Sequence, residues 1–205
     1  MRSTLWCLGL LVFAADAVAA DSLFHIKRNK NRNEFHYEAL VHECRWADTP
    51  IRDQWHMFEK GEDVREGMRW LEKPAYGHKT RAISPTQIEV TMNAKKDLPV
   101  LVELVEADGR CAMTATTQIN EQTDARLRFV YVCARERRLW RPQVQYIDVH
   151  GFDDAGYPIV ERFAKTDWAR ALGEAAPLAE NALPPLGDPL CGHGEERSAS
   201  DEMPD

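Results

Sequence analysis

The chain has 205 residues and a formal net charge of −7, from 26 Lys and Arg against 33 Asp and Glu. Residues 174–205 hold eight acids and one base, Arg197, so this tail accounts for the whole deficit and residues 21–173 are formally neutral. A broad basic face for nucleic acid is thereby excluded, while about 150 residues suffice for one core that buries roughly 70% of its unfolded surface.

Residues 1–20 read as an export signal. Arg2 supplies the positive start, residues 5–15 the apolar run, and Ala17, Val18 and Ala19 the small-residue cleavage pattern before Ala20 or Asp21. The run stops at Asp16, short of the roughly 20 apolar residues a spanning helix needs. No later segment is long and apolar enough, so no transmembrane segment is expected after cleavage. The expected location is the periplasm or the extracellular space.

A hairpin follows. Phe24 and Ile26 alternate with His25 and Lys27, and Phe35, Tyr37, Ala39 and Val41 alternate with Glu34, His36 and Glu38. A loop over residues 29–32 pairs Arg28 with Asn33, Ile26 with Phe35, Phe24 with Tyr37 and His25 with His36. A one-residue slip would split the apolar face, which fixes this register. Further on, Asp63 with Glu66 three residues later resembles a capping box. Val64, Met68 and Leu71 then give a helical stripe and Pro74 its stop.

Strands dominate the remainder. Ile88, Val90 and Met92 alternate with polar residues, and denser apolar runs fall at 100–105, 110–119, 126–133 and 144–149. With residues 120–124 as a loop, Ile119 faces Ala125, Thr117 faces Leu127, Ala115 faces Phe129, Met113 faces Tyr131 and Cys111 faces Cys133. Residues 153–156 form a turn from which 157–163 return, and a short helix is expected over 167–172. Seven to nine strands follow: an all-β, mostly antiparallel sandwich or barrel with one or two short helices. The organisation expected is a signal at 1–20, one β-rich domain at 21–173 and an acidic disordered tail at 174–205, which cannot bury enough apolar surface to order itself.

The run from Phe24 through Asn33, followed by Tyr37, Glu38 and Ala39, resembles the start of a family of small exported proteins catalogued as domain of unknown function 4833. Trp70, Leu71, Glu72 and Lys73 leading into Ala75, Tyr76 and Gly77 fit the same family, as do residues 146–151. The resemblance covers residues 23–163 and implies domain extent and export. It carries over no catalytic residue.

Export places the cysteines in an oxidising compartment. Cys111 opposite Cys133 across an antiparallel pair lies at the short end of disulfide range, with Cα atoms about 4.5 Å apart. The remaining mature pair is Cys44 and Cys191. Ligand-binding candidates are the hairpin-tip donors Arg28, Lys30, Arg32 and Asn33, suited to an anionic glycan or lipid headgroup, and the aromatics Trp55, Trp70 and Tyr76 as pocket walls. Arg135, Arg137, Arg138 and Arg141 form a second basic run. His25 opposite His36 is half a metal site at most; a solvated polar face is expected, and no metal. Asp148 and His150 share one strand face and are weak candidates for an orienting acid and general base. Neither Ser22 nor Ser84 lies in a Gly-x-Ser-x-Gly elbow, and no Walker loop or Gly-x-Gly-x-x-Gly occurs, so no cofactor is expected. The leading expectation is a non-enzymatic binding or envelope-associated module. An exported hydrolase and a structural or assembly protein are the alternatives.

Overall fold

The computed structural model of the chain describes residues 19–61, 64–107, 110–135 and 143–164. Most of the leader, the acidic tail with Cys191, Asp63, the expected helix over 167–172, and Arg137, Arg138 and Arg141 lie outside the described residues.

Eleven strands follow one another as β1 (Ala19–Arg28), β2 (Asn31–His42), β3 (Arg45–His56), β4 (Arg65–Gly67), β5 (His78–Ala82), β6 (Gln87–Met92), β7 (Lys95–Ala107), β8 (Arg110–Ile119), β9 (Gln122–Arg135), β10 (Gln143–Phe152) and β11 (Pro158–Ala164). A 3₁₀ turn (Trp70–Glu72) and a one-turn helix, α1 (Lys73–Tyr76), lie between β4 and β5. The strands arise from period-2 alternation: in β6, for example, Ile88, Val90 and Met92 are buried and their neighbours are not.

Among the described residues all strands belong to one mixed sheet, ordered β4-β3-β2-β1-β9-β8-β7-β6-β5, with β10 on β9 and β11 on β10; it does not close into a barrel. The β1–β9 ladder is parallel and the other ladders are antiparallel. β9 organises the whole. One of its edges carries β10 along residues 126–135. The other edge takes β8 first, from Ile119↔Gln122 to Thr116↔Arg126, and then β1, from His25↔Phe129 to Arg28↔Val132. The sheet therefore divides at β9 into a β1–β4 wing and a β5–β8 wing. Phe24, Phe35, Tyr37, Ile51 and Trp55 of the first share one buried cluster with Ile88, Val90, Met92, Val100 and Val102 of the second, so the wings are folded over one another as in a sandwich. Tyr37 ties them by donating its hydroxyl to the Tyr76 carbonyl at 2.6 Å, and Asp53 of β3 meets His78 of β5 at 3.0 Å.

The hairpin register holds for Phe24↔Tyr37, His25↔His36 and Ile26↔Phe35, but a register shift then pairs Arg28 with Asn31 rather than Asn33. The helix expected from Asp63 to Leu71 is absent. Residues 65–67 instead pair with β3, Leu71 is 60% exposed, and Pro74 opens α1 rather than ending a helix. Gly67 makes that stretch a poor helix former, and pairing on the β3 edge satisfies its backbone instead.

The β8–β9 hairpin is tighter than its sequence implies. Asn120 adopts a left-handed φ of 55°, which Asn tolerates, so Gln122 already faces Ile119. The register moves by two residues, Thr117 faces Ala125, and β8 leaves β9 beyond Thr116. Cys111 therefore never reaches Cys133. It bonds Cys44, at a Cα–Cα distance of 5.4 Å, which also rules out Cys44–Cys191. Cys44 sits in the β2–β3 turn, where Glu43 (φ 47°) and Cys44 (φ 53°) are both left-handed, as a two-residue hairpin turn of this kind requires. Cys133 is buried and is itself disulfide-bonded.

Candidate functional site

On the sheet face turned away from the core, five rings stack in a row across five strands. His56 of β3 lies 3.5 Å from His36 of β2, and His36 lies 4.8 Å from His25 of β1. His25 is 5.6 Å from Phe129 of β9, and Phe129 is 4.1 Å from His150 of β10, all as centroid distances. Alternation puts each ring on the pleat opposite a core residue, and the parallel β1–β9 ladder joins the N-terminal histidines to Phe129 and His150. The sequence reading of a solvated face fails at His36, which is 9% exposed like its neighbour His56, whereas His25 is half-buried.

Burial favours the neutral form of His25, His56 and His150. It lowers His25 to about 3, with the positive charges of His36, Lys27 and Arg128 acting the same way and Glu34 against them. Burial likewise takes His150 down to about 4 and lowers His56, with His36 adding to the effect. Two carboxylates flank the row. Burial pushes Glu34 upward, but a hydrogen bond from His36 and the charges of His25 and Lys27 hold it at about 2. Glu34 Oε1 meets Lys27 Nζ at 3.1 Å, while Oε2 accepts from His36 Nε2 at 2.9 Å. Glu38 accepts from Arg52, Gln54 and His56. The donor atoms of His25, Glu34 and His36 lie within 4.8 Å of one another.

Beside this row the sheet opens. β1 pairs with β9 only from His25 onward and β8 only as far as Thr116, leaving a fork. There His150↔Phe129 is followed by Gly151↔Leu127, so Arg128 is the extra residue of a β-bulge, a device that bends a strand and re-aims its side chains. Gly151 is required opposite it: a Cβ there would come within 2.5 Å of the Arg126 carbonyl oxygen and 2.6 Å of Ile119 Cδ1. The fork holds a cleft of about 300 Å³ walled by Ser22, His25, Thr114, Arg126, Arg128 and Phe152 among others. Both arginines are exposed and stack on Phe152, at 5.0 Å and 5.8 Å.

The other sequence-derived candidates sit elsewhere. Arg28 lies over Trp55 at 4.5 Å and over Tyr76 at 5.8 Å, and donates to the Tyr76 hydroxyl and Asn31 Oδ1. Trp55 donates to Glu72 and packs in the core with Phe35. Arg28, Trp55 and Tyr76 thus pack against one another, and Trp70 stands apart, 76% exposed. Asn33 is buried, exchanging hydrogen bonds with the Glu59 side chain and backbone. Lys30 and Arg32 are exposed at the tip. Asp148 is fully buried and gives both oxygens to Arg162 at 2.7 Å, while His150 packs on Phe129, so the pair is not arranged as an acid orienting a base. The cleft arginines and His56 escaped the sequence reading. The signal available was Arg126 and Arg128 alternating with apolar Leu127 and Phe129 in a strand.

Fold and site together define an all-β domain whose sheet divides at one strand, with a buried histidine row and an arginine-walled cleft at the division. The chain belongs to the family described as Domain of unknown function (DUF4833), which matches residues 24–162. No curated protein and no solved structure matches it. Among the described residues, no helix is long and apolar enough to cross a membrane.

Proposed function

We propose that the domain is a non-enzymatic binding module of an exported protein, and that its ligand presents an oxyanion (carboxylate, phosphate or sulfate) to the fork cleft. The observation that carries this reading is the placement of Arg126 and Arg128 on one wall of a concave site, beside strand edges that the β9 ladders leave off. Guanidinium groups suit oxyanions through paired, charge-assisted hydrogen bonds, and a small cleft with a few convergent polar groups is the usual form of a ligand site. Export is supported by the N-terminal pattern and by the Cys44–Cys111 disulfide, since such bonds persist in oxidising compartments.

Calorimetric titration with inorganic phosphate and with a sulfated oligosaccharide, and sedimentation with anionic-lipid vesicles, test the reading and separate free anion, glycan and headgroup. Arg126→Glu with Arg128→Glu should abolish binding in whichever arm is positive, while Lys30→Glu with Arg32→Glu leaves it intact. The opposite pattern would move the site to the hairpin tip and overturn the proposal.

A further inference from the structure

His25, Glu34 and His36 carry an inference separate from the oxyanion reading. From their geometry we infer that the three side chains form a binding site for a first-row divalent metal ion of the zinc type, with His25 Nε2, Glu34 Oε2 and His36 Nε2 as ligands. The three ligand atoms lie within 4.8 Å of one another, and the two Glu34 separations bracket that of a shared ion. Two ligands bonded at 2.0–2.2 Å in tetrahedral geometry stand about 3.4 Å apart; Glu34 Oε2 lies 2.9 Å from His36 Nε2 and 3.7 Å from His25 Nε2. The second distance is too long for a hydrogen bond, and His25 Nε2 is a buried nitrogen that makes none. A buried polar atom without a partner is costly and calls for explanation; a metal ion would supply its missing partner.

The surroundings fit as well. Ser22 Oγ lies 2.9 Å from His36 Nδ1; when a metal takes the place of the Nε2 proton shared with Glu34, the imidazole proton sits on Nδ1 and is donated to Ser22, the outer contact that orients a metal-bound imidazole and fixes its tautomer. Lys27 occupies the other oxygen of Glu34, which leaves Oε2 as a monodentate ligand. Two imidazoles and one carboxylate form a borderline donor set suited to Zn²⁺, Ni²⁺ or Cu²⁺ rather than to Ca²⁺ or Mg²⁺, with water completing the coordination. The His25 and His36 rings are 13° from parallel, so binding turns one of them about χ2, a torsion with a broad minimum.

The test uses the full chain, disulfides intact, treated with a chelator and then titrated with Zn²⁺ alone. One equivalent should bind, and long-range ¹H–¹⁵N spectra should show the Nε2 resonances of His25 and His36 moving while those of His42 and His78 stay. His25→Ala and Glu34→Gln should each weaken binding at least tenfold, and His42→Ala should leave it unchanged. The wild-type spectra decide the matter even where a variant fails to fold. Absence of stoichiometric binding, or binding that moves other histidines instead, would overturn the inference.

Discussion

His36 lies face to face with His56, their ring centroids 3.5 Å apart and their planes within 4°. Two imidazolium rings cannot share that spacing cheaply, and burial lowers His25, His56 and His150 in the same row. The unfolded chain has ordinary histidines that bind protons below about pH 6.5, whereas folded His25 and His150 bind them only near 3 and 4. Between those limits the unfolded state holds more protons, so stability rises with pH. The urea midpoint should be flat above about pH 7 and fall steadily from pH 6.5 to 4, with Glu34 adding further loss from pH 4.5 towards 2. His150→Phe should flatten part of the slope. A midpoint that holds or rises on acidification would contradict this account of the row.

The Cys44–Cys111 bond closes a loop of 67 residues, worth about 4 kcal/mol in the loop-entropy view. Cys44→Ser should lower stability by that order, and peptide mapping without reduction should recover a Cys44–Cys111 peptide. A Cys111–Cys133 peptide would mean that β8 and β9 pair in the wider register.

Gly151→Ala places a methyl group against backbone as well as against Ile119. Because a carbonyl oxygen cannot step aside as a side chain can, the expected loss is about 2–3 kcal/mol, seen in thermal unfolding. Ile119→Val should recover little of it. The double variant should also lose oxyanion binding, because the bulge at Arg128 depends on this close approach.

Arg162→Met leaves the carboxylate of Asp148 buried without its partner, a situation that costs about 3–5 kcal/mol. Asp148→Asn with Arg162→Met together should cost less than Arg162→Met alone, as a double-mutant cycle in denaturant would show. A double loss equal to the sum of the Asp148→Asn and Arg162→Met losses would mean that the pair contributes no coupling.

Much of the fold was legible because period-2 patterning is local. Ile26 opposite Phe35, and the return of 157–163 after the 153–156 turn, follow from alternation and turn residues alone. The candidate site was not, because it depends on contacts with no local signature. The sequence brings His25 to His36, but only the parallel β1–β9 ladder brings Phe129 and His150 alongside them, across more than a hundred residues. The Cys111 partner was misread for a related reason. Counting pairs outward from a loop assumes a continuous ladder, and the two-residue turn at Asn120 together with the departure of β8 breaks that assumption.

The position of β1 also has a consequence in time. Its one edge is served at once by β2, the next strand made, but the other waits for residues 129–132, and until they arrive the strand is an open template for pairing with any other chain. Closing so long a loop is slow relative to local pairing. The first hairpin therefore spends a long interval in a half-finished, sticky state. A chain built this way gains from being kept unfolded until β9 has been delivered, whether at the ribosome or on the far side of a membrane.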